Sequence, residues 1–242
     1  MSDPLSIVQD GRLLRITLQR DGNGVSDGMA ASLSAAILGA HEASDAVLLR
    51  SAGPDYCTGR VRDPGAPAPE PEAYARRAEY DAIFGSYKAI RNAQVPVVTA
   101  IEGRAMGFGA AIAALCDVSF AADSATFNIP EINHNVMPTM VMSALYDRVN
   151  RNALLWLAYS SDFISAERAL AYGLVSQVVP AAALGAEVER FCALLLSRPR
   201  PAILGLKEYL HTAPRMDEQG AIDYARSLHA IVNTSAAMKK KH

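Results

Sequence analysis

The chain has little of what marks several protein classes. It holds 3 cysteines in 242 residues. Cys57, Cys116 and Cys192 are widely spaced and form no CxxC or Cys/His ligand pattern, so neither a disulfide framework nor a metal site is expected. No apolar run reaches the ~20 residues that span a bilayer. The opening MSDPLSIVQDGR also lacks the basic stretch and apolar stretch of a secretory signal. These absences predict a cytoplasmic protein in a reducing compartment, with no membrane partner. An excess of one charge is missing too, because 23 Lys and Arg stand against 25 Asp and Glu, which gives no general pull toward nucleic acid. The run Lys239-Lys240-Lys241-His242 reads as a solvated tail. Neither GxxxxGK[ST] nor GxGxxG occurs, which disfavours phosphate cradling by those routes. No internal repeat or flexible interdomain linker is visible.

What is present is apolar mass, 50% hydrophobic residues against 20% charged, enough for one large core or for a core with a helical appendage. Alternation on both sides of Asp10-Gly11 predicts a hairpin, with Leu5, Ile7, Leu14, Ile16 and Leu18 facing inward. After Asn23-Gly24 the period becomes helical through Met29, Leu33, Ala36, Ile37 and Ala40, behind an N-cap at Ser26 or Asp27. Ala46 to Leu49 reads as a buried strand. It is followed by the loop SAGPDYCTG and by a stretch with Pro64, Pro67, Pro69 and Pro71 that cannot be helix or central strand. A helix is predicted over 72–92, with Tyr80, Ile83, Phe84, Tyr87 and Ile90 on one side. Strands follow over 95–101, 117–122 and 126–129. The remainder is mainly helical, apart from a short strand over 176–179. Strand-helix alternation followed by helices indicates an α/β fold with a helical end.

Three places carry possible chemistry. The turns Tyr56-Cys57-Thr58-Gly59 and Met106-Gly107-Phe108-Gly109 leave strands beside a helix start and would present backbone N–H groups to an anion or oxyanion. Taken singly, either turn is equally a structural device. Pro130-Glu131-Ile132 sets a carboxylate between apolar neighbours directly after a strand. In isolation Glu131 reads as a helix cap or a solvent-facing residue. In an apolar cleft, desolvation would raise its pKa toward the range useful for proton transfer.

The order of these pieces resembles the crotonase (enoyl-CoA hydratase/isomerase) family over about residues 5–232. Asn23-Gly24-Val25, SAGPDYCTGR, VPVVTAIEGRAMGFGAAIAALCDVSFAADSATFNIPEI, SAERALAYGLVSQVVP and PRPAILGLKEYL follow the family's motifs in sequence. The resemblance implies a crotonase-like ββα spiral over residues 1–190 and a C-terminal helical trimerisation region over 191–242, giving a homotrimer or a dimer of trimers. It implies an acyl-CoA substrate whose thioester carbonyl meets the amides of Thr58 and Phe108, with Glu131 moving the proton. Cys57, Gly59 and Gly107 would line the substrate, and Arg20 and Arg60 are the candidates for the coenzyme A phosphates. No cofactor or metal is implied beyond coenzyme A as part of the substrate.

One position departs from the family's hydratases, which carry a first glutamate where this chain has Ala111. Hydration benefits from two groups, whereas a double-bond shift needs one group that removes and returns a proton. The sequence therefore leans toward an enoyl-CoA isomerase working with a single base. A one-glutamate hydratase and a non-catalytic acyl-CoA binder are the alternatives. Val61, Asn135, Thr139 and Met140 also replace the residues usual in the family, which implies an altered acyl pocket.

Overall fold

The computed structural model describes residues 4–63 and 65–239. Pro64 and the tail residues Lys240, Lys241 and His242 lie outside them. The chain starts as a hairpin of strands β1 (Leu5–Asp10) and β2 (Leu13–Leu18). Gly11 takes φ +56° in the connecting turn, the positive value that only glycine adopts freely. Leu5, Leu14, Ile16 and Leu18 are buried, but Ile7 is 48% exposed. The exposure of Ile7 has a simple cause: β1 is the edge strand of its sheet, and only its first residue is fully covered.

From β2 onward the chain repeats one turn of a spiral. Four successive strands of the large sheet each lead to an extended segment in a second layer and then to a helix. After β2, Val25 pairs with Arg60 and helix α1 (Asp27–Gly39) follows, capped by the Ser26 side chain. After β3 (Ala46–Ser51), Cys57 pairs with Ala105 and α2 (Asp81–Asn92) follows. Then come β4 (Val97–Ile101), β5 (Arg104–Met106) and α3 (Phe108–Leu115). The last full turn is β6 (Val118–Ala122), β7 (Thr126–Asn128) and α4 (Thr139–Leu145).

The helix predicted from residue 72 becomes regular α-helix only at Asp81. Residues 75–80 form a 3-10 turn after the proline-rich stretch. On α2, Ile83, Tyr87 and Ile90 are buried, whereas Phe84 is 37% exposed. The chain continues through α5 (Arg151–Ser160), β8 (Ile164–Ser165), α6 (Ala166–Tyr172) and β9 (Gln177–Val179).

The large sheet has the order β1-β2-β3-β4-β6-β9 and is parallel after the first hairpin. A smaller sheet, β5-β7-β8, lies beside it. Parallel strands are covered on both faces, which explains the continuous apolar run through β3. All eight residues of α3 are buried. Its small side chains permit this packing, since a Cβ on Gly109 would stand 2.7 Å from Cys57 Cβ.

Helix α7 (Leu184–Ser197) lies against β3, β4 and β6. The pair α8 (Arg200–Thr212) and α9 (Glu218–Thr234) follows. Lys207 ties α8 to the core, meeting Asp117 at 2.5 Å and the Val95 carbonyl at 3.1 Å.

Candidate active site

The loop after β3 is clamped onto the start of β5. The Asp55 carboxylate accepts from Arg104 at the backbone N–H (3.1 Å), Nε (2.8 Å) and Nη2 (2.6 Å). The Arg104 guanidinium accordingly holds the Asp55 carboxyl below the usual carboxylate range. From the other side, Asn23 Nδ2 donates to the carbonyls of Ala52 and Asp55 at 2.6 and 2.7 Å. Asn23 has φ +48°, a left-handed conformation that Asn tolerates. The Cys57 N–H donates to the Arg104 carbonyl at 3.0 Å, and the Cys57 carbonyl accepts from Met106 at 2.9 Å. Gly59 at φ +109° passes the chain back, its carbonyl accepting from Val25 at 2.9 Å.

Between these fastened points the Thr58 side chain turns away and donates to the Gly22 carbonyl at 2.6 Å. Its amide N–H meets no carbonyl among the described residues, and neither does that of Phe108 at the start of α3. The second absence is the ordinary state of a helix N-terminus, whose first N–H groups have no partner within the helix.

Glu131 reaches this place through sheet register. β5 and β7 pair in parallel, Met106 opposite Asn128, and the Gly107 N–H donates to the Asn128 carbonyl at 3.0 Å. Gly107 takes φ +50°. A Cβ there would collide with Glu131 Oε1 and stand 3.3 Å from its Cδ, so the carboxyl lies directly against the Gly107 Cα. Glu131 begins a single 3-10 turn that ends in left-handed Asn135, φ +57°. Its Oε2 is buried and has no hydrogen-bond partner among the described residues. Burial raises the Glu131 pKa, while its own backbone N–H and His134 pull the other way. A carboxyl held in this way is suited to accept a carbon-bound proton, because its charged form is poorly solvated.

The structure thus brings Cys57, Thr58, Gly59, Gly107, Phe108 and Glu131 into one connected group. The Cys57 thiol is buried and pushed up to about 12, so it stays protonated and unreactive. Arg20 lies just after β2 and Arg60 directly follows Gly59, and both already carry carboxylates. Arg20 meets Asp63 at 3.0 Å. Arg60 grips Asp27 through Nε and Nη2 at 3.0 and 2.8 Å and lies over the Tyr80 ring. Ala111 is fully buried in α3.

Sequence reasoning missed the Asp55–Arg104 clamp, the carbonyl-binding role of Asn23, and Tyr87. A phenol on the apolar side of a helix, beside Ile83 and Ile90, was a readable signal for Tyr87, since a buried tyrosine hydroxyl normally needs a partner.

A separate cavity of about 540 Å³ opens under α8, lined by Arg91, Asp117, Tyr146, Phe191, Leu206 and Lys207, among others. Its carboxylates are already paired, Asp117 with Lys207 and neighbouring Asp147 with Arg91. It is therefore a gap between core and α8, away from Glu131. Among the described residues, no group of three or more His, Cys, Asp and Glu side chains could hold a metal ion, and no helix is long and apolar enough to cross a membrane.

Stacked ββα turns with two loops at one end define a spiral α/β class represented among solved structures. An enoyl-CoA hydratase of Mycobacterium smegmatis matches with a TM-score of 0.90 and 26% identity, over 98% of this chain and 93% of that one. A Thermobifida fusca protein described as an enoyl-CoA hydratase, solved in complex with CoA, matches with a TM-score of 0.82 and 26% identity, over 94% of this chain and 92% of that one. Human "Enoyl-CoA hydratase domain-containing protein 3, mitochondrial" is 34% identical over 142 residues, 55% of this chain. The match spans about half (47%) of that relative's length. The chain belongs to the enoyl-CoA hydratase/isomerase family, whose model matches residues 9–241.

Proposed function

We propose that the protein moves a proton at a carbon activated by a coenzyme A thioester, with Glu131 as the base and the amides of Thr58 and Phe108 as the oxyanion donors. The observation that carries this reading is the Glu131 carboxyl, partly desolvated, pressed on Gly107 beside the open Phe108 amide. Proton removal places charge on the thioester oxygen. Preorganised N–H groups stabilise that charge by roughly 3 kcal/mol each where water is excluded. With Ala111 contributing only a buried methyl, Glu131 is the single carboxylate of the group. Carrying a proton from one carbon to another, a Δ3-to-Δ2 shift of an enoyl-CoA, is the reaction one carboxylate completes unaided.

Hydration of the conjugated enoyl-CoA is the second reading, favoured by relatives whose names say hydratase. Separate incubation with a 3-enoyl-CoA and with crotonyl-CoA, followed by the ultraviolet absorbance of the conjugated thioester, distinguishes the two. Rapid loss of crotonyl-CoA with no turnover of the 3-enoyl substrate removes the isomerase reading. A binder without chemistry would show neither change while still retaining acyl-CoA.

Coenzyme A enters as part of the substrate, a reading supported by the CoA complex of the Thermobifida relative. For its phosphates, Arg20 and Arg60 would first have to exchange Asp63 and Asp27. Residues 191–242 are the proposed assembly surface, which sedimentation of the purified chain tests. Three buried free thiols fit the reducing cytoplasmic setting.

A further inference from the structure

The Tyr87 hydroxyl is buried without a hydrogen-bond partner among the described residues, as is Glu131 Oε2. Tyr87 as a whole is only 4% exposed. An unpaired buried polar group costs stability, so two in one neighbourhood call for an explanation. Tyr87 belongs to that neighbourhood by geometry. Its ring stacks on Phe108, centroids 5.5 Å apart and planes 24° apart. Phe108 directly follows Gly107, whose Cα lies against the Glu131 carboxyl. Ala111 stands one helical turn beyond Phe108 on α3, and residues three apart share a helix face, so the apolar methyl of Ala111 lies on the side facing α2.

We propose that Tyr87 is the second oxygen-bearing group of the site, and that its hydroxyl and Glu131 together hold the water that adds across the α,β double bond. This rests on Glu131 being the base, and it gives the chain a hydration activity beyond the double-bond shift. In the step, water donates one O–H to the Glu131 carboxylate and the other to the Tyr87 oxygen, which aims a lone pair at Cβ. The water oxygen bonds to Cβ and its proton passes to Glu131. The π electrons move to form the enolate, whose charge falls on the thioester oxygen. Glu131 then returns the proton to Cα as the enolate collapses, leaving a 3-hydroxyacyl thioester and the starting carboxylate. Tyr87 keeps its proton throughout. Burial, with smaller effects from Glu131 and Cys57, pushes its pKa well above that of a free phenol, consistent with that role.

The test compares the full chain with Tyr87→Phe and Glu131→Gln, following crotonyl-CoA hydration, 3-enoyl-CoA isomerisation and thermal unfolding. Tyr87→Phe is expected to lower kcat/KM for hydration roughly 10- to 100-fold, the scale of losing a reactant's orientation, and to change isomerisation less than about 3-fold. Its Tm should stay level or rise, because an unpaired buried hydroxyl is removed. The proposal is overturned if the parent chain does not hydrate, if Tyr87→Phe hydrates as the parent does, or if both reactions fall equally. A Tyr87→Phe chain that fails to fold or loses Tm assigns the hydroxyl a structural role and overturns it as well. Glu131→Gln separates the two readings. If it retains turnover, the base assignment fails; if it loses both reactions while Tyr87→Phe loses neither, only the Tyr87 inference fails.

Discussion

Residues 5–197 and residues 200–234 obey different rules. In the first, every strand of the large sheet after β1 except β9 carries buried residues, and the helices between them turn apolar faces inward. In the second, Gly205 is the one buried residue of α8 and α9, while Leu206, Leu210 and Ile231 are 64%, 69% and 68% exposed. Burying one such side chain is worth ~1.5–3 kcal/mol, and the single chain leaves that gain unrealised. Every residue of the candidate site lies in the first region, and the arm is joined to it by Leu204, packed against the core, and by polar contacts such as Lys207–Asp117. Substitutions in the core should change chemistry and stability in different ratios, whereas those in the arm should change neither much.

The largest effect is expected at Glu131. Glu131→Gln should lower kcat/KM by roughly 10²–10⁴, the usual contribution of a positioned acid-base group, measured with whichever enoyl-CoA the chain turns over. The sign of the stability change is opposite. The Glu131 pKa is raised in the folded chain, so its favourable contribution is present below the unfolded value of about 4.3 and is lost as pH rises through the folded value. At neutral pH a buried carboxylate is a cost, and Glu131→Gln should melt at or above the parent Tm. The same shift sets the pH profile: the acid limb of kcat/KM should lie above the ordinary carboxylate range, because the base must be ionised to accept a proton. A limb at the free-glutamate value would mean that Glu131 is solvated when it acts.

Gly107→Ala comes next, and its costs should agree in sign. The added Cβ meets Glu131 Oε1 at a backbone angle of φ +50°, which a side chain adopts with strain of about 1–3 kcal/mol. Displacing the carboxyl by ~1 Å is enough for a 100-fold loss of rate. Lower Tm together with lower kcat distinguishes this variant from Glu131→Gln. Asp55→Ala should follow, with a loss of about 1–3 kcal/mol from charge-assisted hydrogen bonds to a partly exposed arginine and a rate loss near 10-fold as the Thr58 loop loosens. Because Arg104 depresses the Asp55 pKa, this clamp is intact above the ordinary aspartate range and is lost as pH falls through the lower folded value.

How far the sequence could be read follows the same division. Local signals with one physical meaning were legible: the Asp10-Gly11 hairpin, the Ser26 cap and the strand before Pro130-Glu131 all form. Family motifs located the two loops without showing what holds them. Asp55 and Arg104 lie 49 residues apart, and no periodicity links an acid in one loop to a base at the start of a distant strand. Ile7 and Phe84 were expected inside because alternation and helical spacing report which face a residue shares, not how far the neighbouring layer extends over it. Tyr87 was placed only on one side of the predicted helix, and it is 4% exposed. The meaning of its hydroxyl emerged only with Phe108 and Glu131 beside it.

The smallest effect is the one that most sharply tests the contrast between core and arm. Leu206→Ser and Ile231→Ser alter exposed side chains of α8 and α9, so each should shift the unfolding free energy of an isolated chain within about 0.5 kcal/mol, as surface substitutions do. Replacing an apolar group that a partner covers is different, because truncation at a well-packed interface commonly costs more than about 1 kcal/mol. Sedimentation at several concentrations, alongside denaturant unfolding, separates the two. A fall in assembly mass with the monomer's unfolding midpoint unchanged would show that the arm is built for a partner. A large loss of monomer stability at constant mass would show instead that α8 and α9 belong to the core, and the division into two regions would fail. Activity supplies the third reading: if the variants leave kcat/KM for the enoyl-CoA unchanged while the mass falls, the loops of Thr58 and Phe108 are held by the spiral alone.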